Sequence, residues 1–290
     1  MSFLEMPIAS LSVAPRTATR LAAILACLML GACETVGGLG PGLDARVAEI
    51  DADASPDKLT NLTSLNDVVR RNPNDASAYN TRGAALARIG RFNEAIADFS
   101  SAVKLDPNLA AAYTNRALAF RQISRNDAAM GDFSQAIAIK PNYAAAYLGR
   151  GNLLRSQGSL EEARADLDQA IRLNPEGAQA YHARGLISQR QARHPQAITD
   201  FDNAIDRDPF TAAPYQARGQ SLTAIGQYDK AIEDFNACLN VDNKNADAWA
   251  GLGLAYERSG NRAKAAESYS RALVVDPSNG LARSGSSRVG

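Results

Sequence analysis

The sequence predicts an all-α chain in which helix hairpins stack into a solenoid, and three observations predict it. Aromatic residues stand at Tyr79, Tyr113, Tyr147, Tyr181, Tyr215 and Trp249, each 34 residues after the last. Small residues recur four places later, at Gly83, Ala117, Gly151, Gly185, Gly219 and Gly253. The chain is rich in alanine, holds only 6% aromatics, and shows no strand-like alternation. A fixed period of this length marks a repeat array, because one hairpin cannot bury its apolar face alone and must stack on its neighbours.

Residues 1–33 read as an export signal. Arg16 and Arg20 precede the apolar run Leu21–Leu30. Ten helical residues rise about 15 Å, too short to span a bilayer but suited to a signal core. The run ends in Leu30-Gly31-Ala32-Cys33, which resembles the lipobox of bacterial lipoproteins. That resemblance implies cleavage before Cys33 and attachment of lipid to its sulfur; an ordinary signal peptide or an uncleaved anchor is the alternative. Glu34 replaces the aspartate that holds similar lipoproteins at the inner membrane, so the resemblance points to the outer membrane, facing the periplasm. Residues 34–54 follow as a tether, whose Thr35–Leu43 stretch carries four glycines and a proline. Within it, Leu43–Asp51 reads as a short helix.

Residues 55–75 predict a capping helix or degenerate half-unit. Ser55 is its N-cap, Pro56 its first residue, and Leu62, Leu65 and Val69 would cover the first repeat. Residues 76–279 hold six units. In the first, Asp75 caps a helix to about Ile89 and Gly90 stops it. A second helix runs from about Asn93 to Leu105, and Pro107 closes the unit. Ser124 and Ala192 replace the turn glycine, and Asn243 replaces the closing proline. Residues 280–290 read as a tail too short and too rich in Gly and Ser to cap the array, which leaves Leu273 and Val274 partly uncovered and predicts a homodimer through this end.

The order aromatic, Gly, Ala, aromatic, Ala, Pro at fixed offsets resembles the tetratricopeptide repeat (TPR). The resemblance covers residues 76–279 and implies a right-handed superhelix whose first helices line a concave groove. Together with the lipobox, it is similar to the NlpI-type envelope lipoproteins, which implies an adaptor for periplasmic proteases and cell-wall hydrolases. TPR lipoproteins that assist assembly of pilus, secretion or outer-membrane machinery are the alternative.

An arginine recurs at 82, 116, 150, 184 and 218, and becomes Leu252 in the sixth unit. Sixteen residues on stand Asp98, Asp132, Asp166, Asp200 and Asp234, and then Ser268. Present together and lost together, they predict an ion pair between the two helices of each unit. A pair from each aspartate to the arginine of the next unit is also geometrically possible but leaves Arg82 and Asp234 unpaired. A ladder of ligand-binding arginines is the functional alternative.

Chemistry is sparse. Lys and Arg total 31, as do Asp and Glu, which excludes the basic excess of a nucleic-acid binder. Beyond the signal only Cys238 remains, in a slot that is alanine elsewhere, so it reads as a core residue. No phosphate loop, nucleophile elbow, metal motif or carboxylate pair stands out. His194 reads as a solvated loop residue, and His182 as an exposed one in a groove slot. The expectation is a protein that is not an enzyme and needs no cofactor or metal. By resemblance, the groove slots hold Asn80, Arg88, Thr114, Arg121, Gln122, Asn152, Arg155, Gln179, His182, Gln189, Arg190, Gln216, Gln220 and Arg258. Amides and arginines suit extended backbone and carboxylates, so envelope proteins are the expected partners. The acidic exceptions are Asp247 and Glu257. Asn80 and Ala84 occupy the slots where chaperone-binding relatives need Lys and Asn, so that ligand class is not expected.

Overall fold

The computed structural model describes residues 56–290, which form fourteen helices and, among the described residues, no strand. The signal, Cys33, the tether and the Leu43–Asp51 helix lie outside the described residues. Helix α1 is Pro56–Arg71. Six hairpins follow: α2 (Ala76–Arg88) with α3 (Phe92–Leu105), α4 (Ala110–Gln122) with α5 (Asn126–Ile139), α6 (Ala144–Gln157) with α7 (Leu160–Leu173), α8 (Ala178–Arg190) with α9 (His194–Arg207), α10 (Ala212–Ala224) with α11 (Tyr228–Val241), and α12 (Ala246–Arg258) with α13 (Arg262–Val275). Helix α14, Gly280–Val289, closes the array.

Local chemistry sets the hairpin ends. Asp75 caps α2 by accepting a 2.8 Å bond from the Ser77 amide. Gly90, Gly158, Gly226 and Gly260 turn the chain in the left-handed region, with φ from 76° to 89°. Ser124 (φ 59°) and Ala192 (φ 55°) make the same turn with a Cβ, at a cost of about 1–2 kcal/mol each.

Packing explains the small-residue slots. The rings of Phe99, Phe133, Phe201, Phe235 and Tyr269 are fully buried. A Cβ built on Gly83 would sit 2.7 Å from the Phe99 ring, so only glycine lets α2 approach α3 that closely. Gly149 receives the Phe133 ring of the preceding unit in the same way, which locks one hairpin onto the next. Leu62 and Val69 of α1 are buried and Leu65 is half-buried, as their spacing predicts. Cys238 is buried among Leu222, Ala231, Phe235 and Leu252, and burial pushes its thiol up to about 11, so it packs as a small apolar side chain.

The recurring arginine bonds within its own unit, as predicted. Arg82 makes a two-pronged contact with Asp98, both bonds 2.7 Å; Arg116, Arg150, Arg184 and Arg218 repeat it with Asp132, Asp166, Asp200 and Asp234. The remaining nitrogen reaches back sixteen residues, to Asn66, Ser100, Ser134, Asp168 and Asp202 in turn. Each arginine thus staples three helices: its own two and the last one of the preceding unit. Each guanidinium also lies 5.5–5.9 Å from the ring of the tyrosine one turn earlier. In the sixth unit Leu252 is buried instead, and Ser268 bonds the Lys264 carbonyl.

Successive first helices touch one another (α2–α4, α4–α6, α6–α8, α8–α10, α10–α12), whereas among the described residues successive second helices do not. The array therefore bends with the first helices on its inner face.

The C-terminus corrects the sequence reading. Residues 280–290 are not a tail: α14 packs on α12 and α13. Asn279 caps it by accepting from the Ala282 amide at 2.9 Å. Arg288 makes a two-pronged bond to Glu257, and Tyr269 donates to the same carboxylate at 2.6 Å. Gly and Ser disfavour a helix, but Asn279, Ala282 and Gly285 lie one period after Asn245, Ala248 and Gly251. The tail is thus the first helix of a seventh unit. It half-covers Leu273 and leaves Val274 82% exposed.

Candidate functional site

The inner wall carries a cavity of about 200 Å³ formed by three successive first helices. Helix α4 contributes Thr114, Asn115, Leu118 and Arg121; α6 contributes Ala145, Leu148, Gly149, Asn152 and Arg155; α8 contributes Gln179, His182, Ala183 and Leu186; and Tyr143 closes one end. The 34-residue period sets these side chains in rows across the wall. Thr114, Leu148 and His182 form one row, Leu118, Asn152 and Leu186 a second, and Arg121 with Arg155 a third. A neighbouring hollow of about 360 Å³ shares Tyr143, Ala145, Leu148 and Gln179 and runs out past Lys140, Leu173 and Asn174.

Six of the predicted groove residues meet here: Thr114, Arg121, Asn152, Arg155, Gln179 and His182. The others do not line the cavity. Arg88, Gln122, Arg190, Gln220 and Arg258 are exposed outside it. Asn80 accepts a 3.0 Å bond from Asn115, and Gln216 accepts one of 2.8 Å from Asn245. Gln189 is used in packing: its amide donates to the Ala217 carbonyl and the Ser221 hydroxyl of the next unit. Thr114 is buried and donates to the Ala110 carbonyl.

Both histidines depart from their expected settings. His194 opens α9, half-buried, with its Nδ1 enclosed and without a hydrogen bond among the described residues. His182 is half-buried rather than exposed, its ring 5.8 Å from that of Phe201. Burial first, and then the charge of Arg155, pushes its pKa down to about 4, so the ring is neutral near pH 7.

The two cavity arginines are electrostatically unsatisfied. Burial, then the like charge of Arg155, holds Arg121 below the usual arginine range. Burial, then Arg190, does the same to Arg155. Neither makes an ion pair among the described residues, and the Arg155 Nε is enclosed without an acceptor. The cavity lining contains no acidic residue.

Sequence reasoning missed the apolar floor of Leu118, Leu148, Leu186 and Tyr143, because it collected only polar side chains from the groove slots. The signal was present: Leu148 occupies the slot of Thr114 and His182, and Leu118 and Leu186 occupy the slot of Asn152. Among the described residues no group of three or more His, Cys, Asp or Glu side chains could hold a metal.

Sequence profiles described as tetratricopeptide repeat match residues 76–109 and 246–279, 110–143 and 182–239; one described as TPR repeat matches 151–191 and 219–260. No curated protein matches the chain in sequence. The fold is similar to a chain of the APC/C hetero-tetramer Cut9–Hcn1, with 21% identity and a TM-score of 0.72 over 80% of this chain. This chain spans 46% of the length of that one. It is also similar to YrrB, described as a TPR protein with an unusual peptide-binding site (23% identity, TM-score 0.55, 65% of this chain and 97% of that one). A third is PilW, described as a widely conserved type IV pilus biogenesis factor (20% identity, TM-score 0.65, 72% of this chain and 97% of that one).

Proposed function

This chain belongs to the tetratricopeptide repeat proteins, and on that premise we propose that it is a non-catalytic adaptor of the bacterial cell envelope, anchored by lipid on Cys33 and binding peptide segments of envelope proteins on its inner wall. The observation that carries the binding role is the cavity across α4, α6 and α8, where leucines lie beside two arginines that no carboxylate answers. Buried polar groups normally find partners within the fold, so an unanswered pair on a concave surface fits a site whose partner is another molecule. The anchor rests on the apolar run and on Leu30-Gly31-Ala32-Cys33; two acyl signals hold a protein on a membrane far better than one.

A photo-crosslinking residue at Leu148 should trap a specific envelope protein in cells, whereas one at the exposed Glu162 of α7 should not. Replacing Arg121, Arg155 and Arg190 together by glutamate should abolish the Leu148 crosslink. Equal trapping at both positions, or trapping that survives the triple replacement, would place recognition elsewhere. Cys33→Ser should leave the protein soluble or unprocessed; a mature membrane-bound variant would remove the lipid from the account. The likeness to PilW supports a second reading, an assembly factor for pilus machinery, in which case the protein trapped at Leu148 would be a pilus or secretion subunit.

A further inference from the structure

Resting on that reading, we propose that the cavity takes an extended segment lying along α6, with an acidic side chain between Arg121 and Arg155 and an apolar side chain among Leu118, Leu148 and Leu186.

Charge selects the first half of this ligand. The only charged residues lining the cavity are Arg121 and Arg155. They stand in the same slot of adjacent units, each weakened by burial and each facing a like charge. The enclosed Arg155 Nε is a donor with no acceptor among the described residues. One carboxylate would answer that donor and relieve the repulsion at once, whereas a neutral acceptor would answer the donor alone and a cationic group would do neither.

Shape selects the second half. Along α6 the lining residues run Ala145, Leu148, Asn152 and Arg155, so Leu148 lies between the arginine and the helix start next to Tyr143. Arg155 and Leu148 are seven residues apart on α6, about 10 Å along the axis. An extended chain covers that in about three residues, so the acidic and apolar residues should be within three positions of one another. Arg190 is not part of the lining, so the ligand crosses the array along one helix; it does not run from unit to unit down the three arginines. The hollow past Lys140 and Leu173 gives the segment an exit. The amides of Asn152 and Gln179 line the same cavity and would bond its backbone.

The test is selection of a displayed library of random ten-residue peptides on the detergent-solubilised full chain, repeated on the Arg121→Gln/Arg155→Gln variant and on Leu148→Gln. The expected result is enrichment of Asp or Glu within three positions of Leu, Ile, Met or Phe, with at least tenfold weaker binding of those peptides to each variant. Enriched peptides that are basic or uncharged but still lose affinity on Leu148→Gln would overturn this ligand class and leave the groove reading standing. Acidic–apolar peptides that bind the variants as well as the parent would overturn the placement. Failure to enrich any sequence would overturn the proposal, while crosslinking at Leu148 in cells would still report on the groove by itself. Circular dichroism of both variants, expected unchanged, separates lost contacts from lost fold.

Discussion

Two rows of arginine run along the same helices and meet opposite fates. Arg116 and Arg150 sit in the middle of α4 and α6; Arg121 and Arg155 sit five residues later, near the helix ends. The first pair is answered twice over, by Asp132 and Asp166 in the same unit and by Ser100 and Ser134 in the preceding one. Those hydrogen bonds raise both guanidinium groups above the usual arginine range despite burial. The second pair has no acidic partner among the described residues and is lowered. The difference lies in which face of the helix each side chain leaves. One face meets the second helices, which supply aspartate; the other meets only more first helices, which supply arginine, leucine and amide. The row that repeats in five of the six units holds the array together, and the row that varies is left for something else.

Breaking the first row should have the largest effect. Asp166→Ala removes the acceptor and leaves Arg150 half-buried and unpaired, so unfolding free energy should fall by about 2–4 kcal/mol, less than for a fully enclosed pair because the arginine keeps some water. Following Leu252 and Ser268, the double variant Arg150→Leu/Asp166→Ser should recover more than half of that loss in urea denaturation. A double variant no better than Asp166→Ala would show that the sixth unit tolerates leucine for some other reason.

Acid sharpens the comparison at His182. Its folded pKa of about 4 lies below the ordinary 6.5, so between those values the unfolded chain binds the proton more readily than the folded one. Stability therefore falls as pH drops from about 6.5 to about 4, by about 1–3 kcal/mol from this group. His182→Asn should remove that part of the slope in unfolding experiments at pH 4.5 and pH 7. Arg155→Ala should reduce it only partly, since burial is the larger cause. An unchanged slope in the asparagine variant would show the imidazole to be solvated.

The array was legible in the sequence because repetition multiplies weak signals. One aromatic four residues before a small residue says little; six such pairs 34 apart dictate hairpins, and the joint loss of arginine and aspartate in one unit dictates their pairing. Three features escaped for physical reasons. The third arm of each staple reaches a position that holds Asn66, Ser100, Ser134, Asp168 or Asp202, any of which can accept a hydrogen bond, so no single residue type marks it. Helix α14 was hidden by its glycine and serines, although Asn279, Ala282 and Gly285 keep the period. The cavity floor was hidden differently: Leu118, Leu148 and Leu186 look like core residues until the bend of the array places them on its inner wall.

The most direct test compares one residue from each row on α6. Unfolding free energy and affinity for an acidic–apolar peptide are measured for Arg150→Ala and Arg155→Ala in the full chain. The account predicts that Arg150→Ala loses about 2–4 kcal/mol of stability. Arg155→Ala, relieved of a buried like charge, should stay within about 0.5 kcal/mol of the parent or exceed it, while binding the peptide at least tenfold more weakly, a loss of about 1.4 kcal/mol. If Arg155→Ala instead destabilises the fold as Arg150→Ala does and leaves peptide affinity unchanged, the second row is structural too, and the inner wall is not where this protein meets its partner.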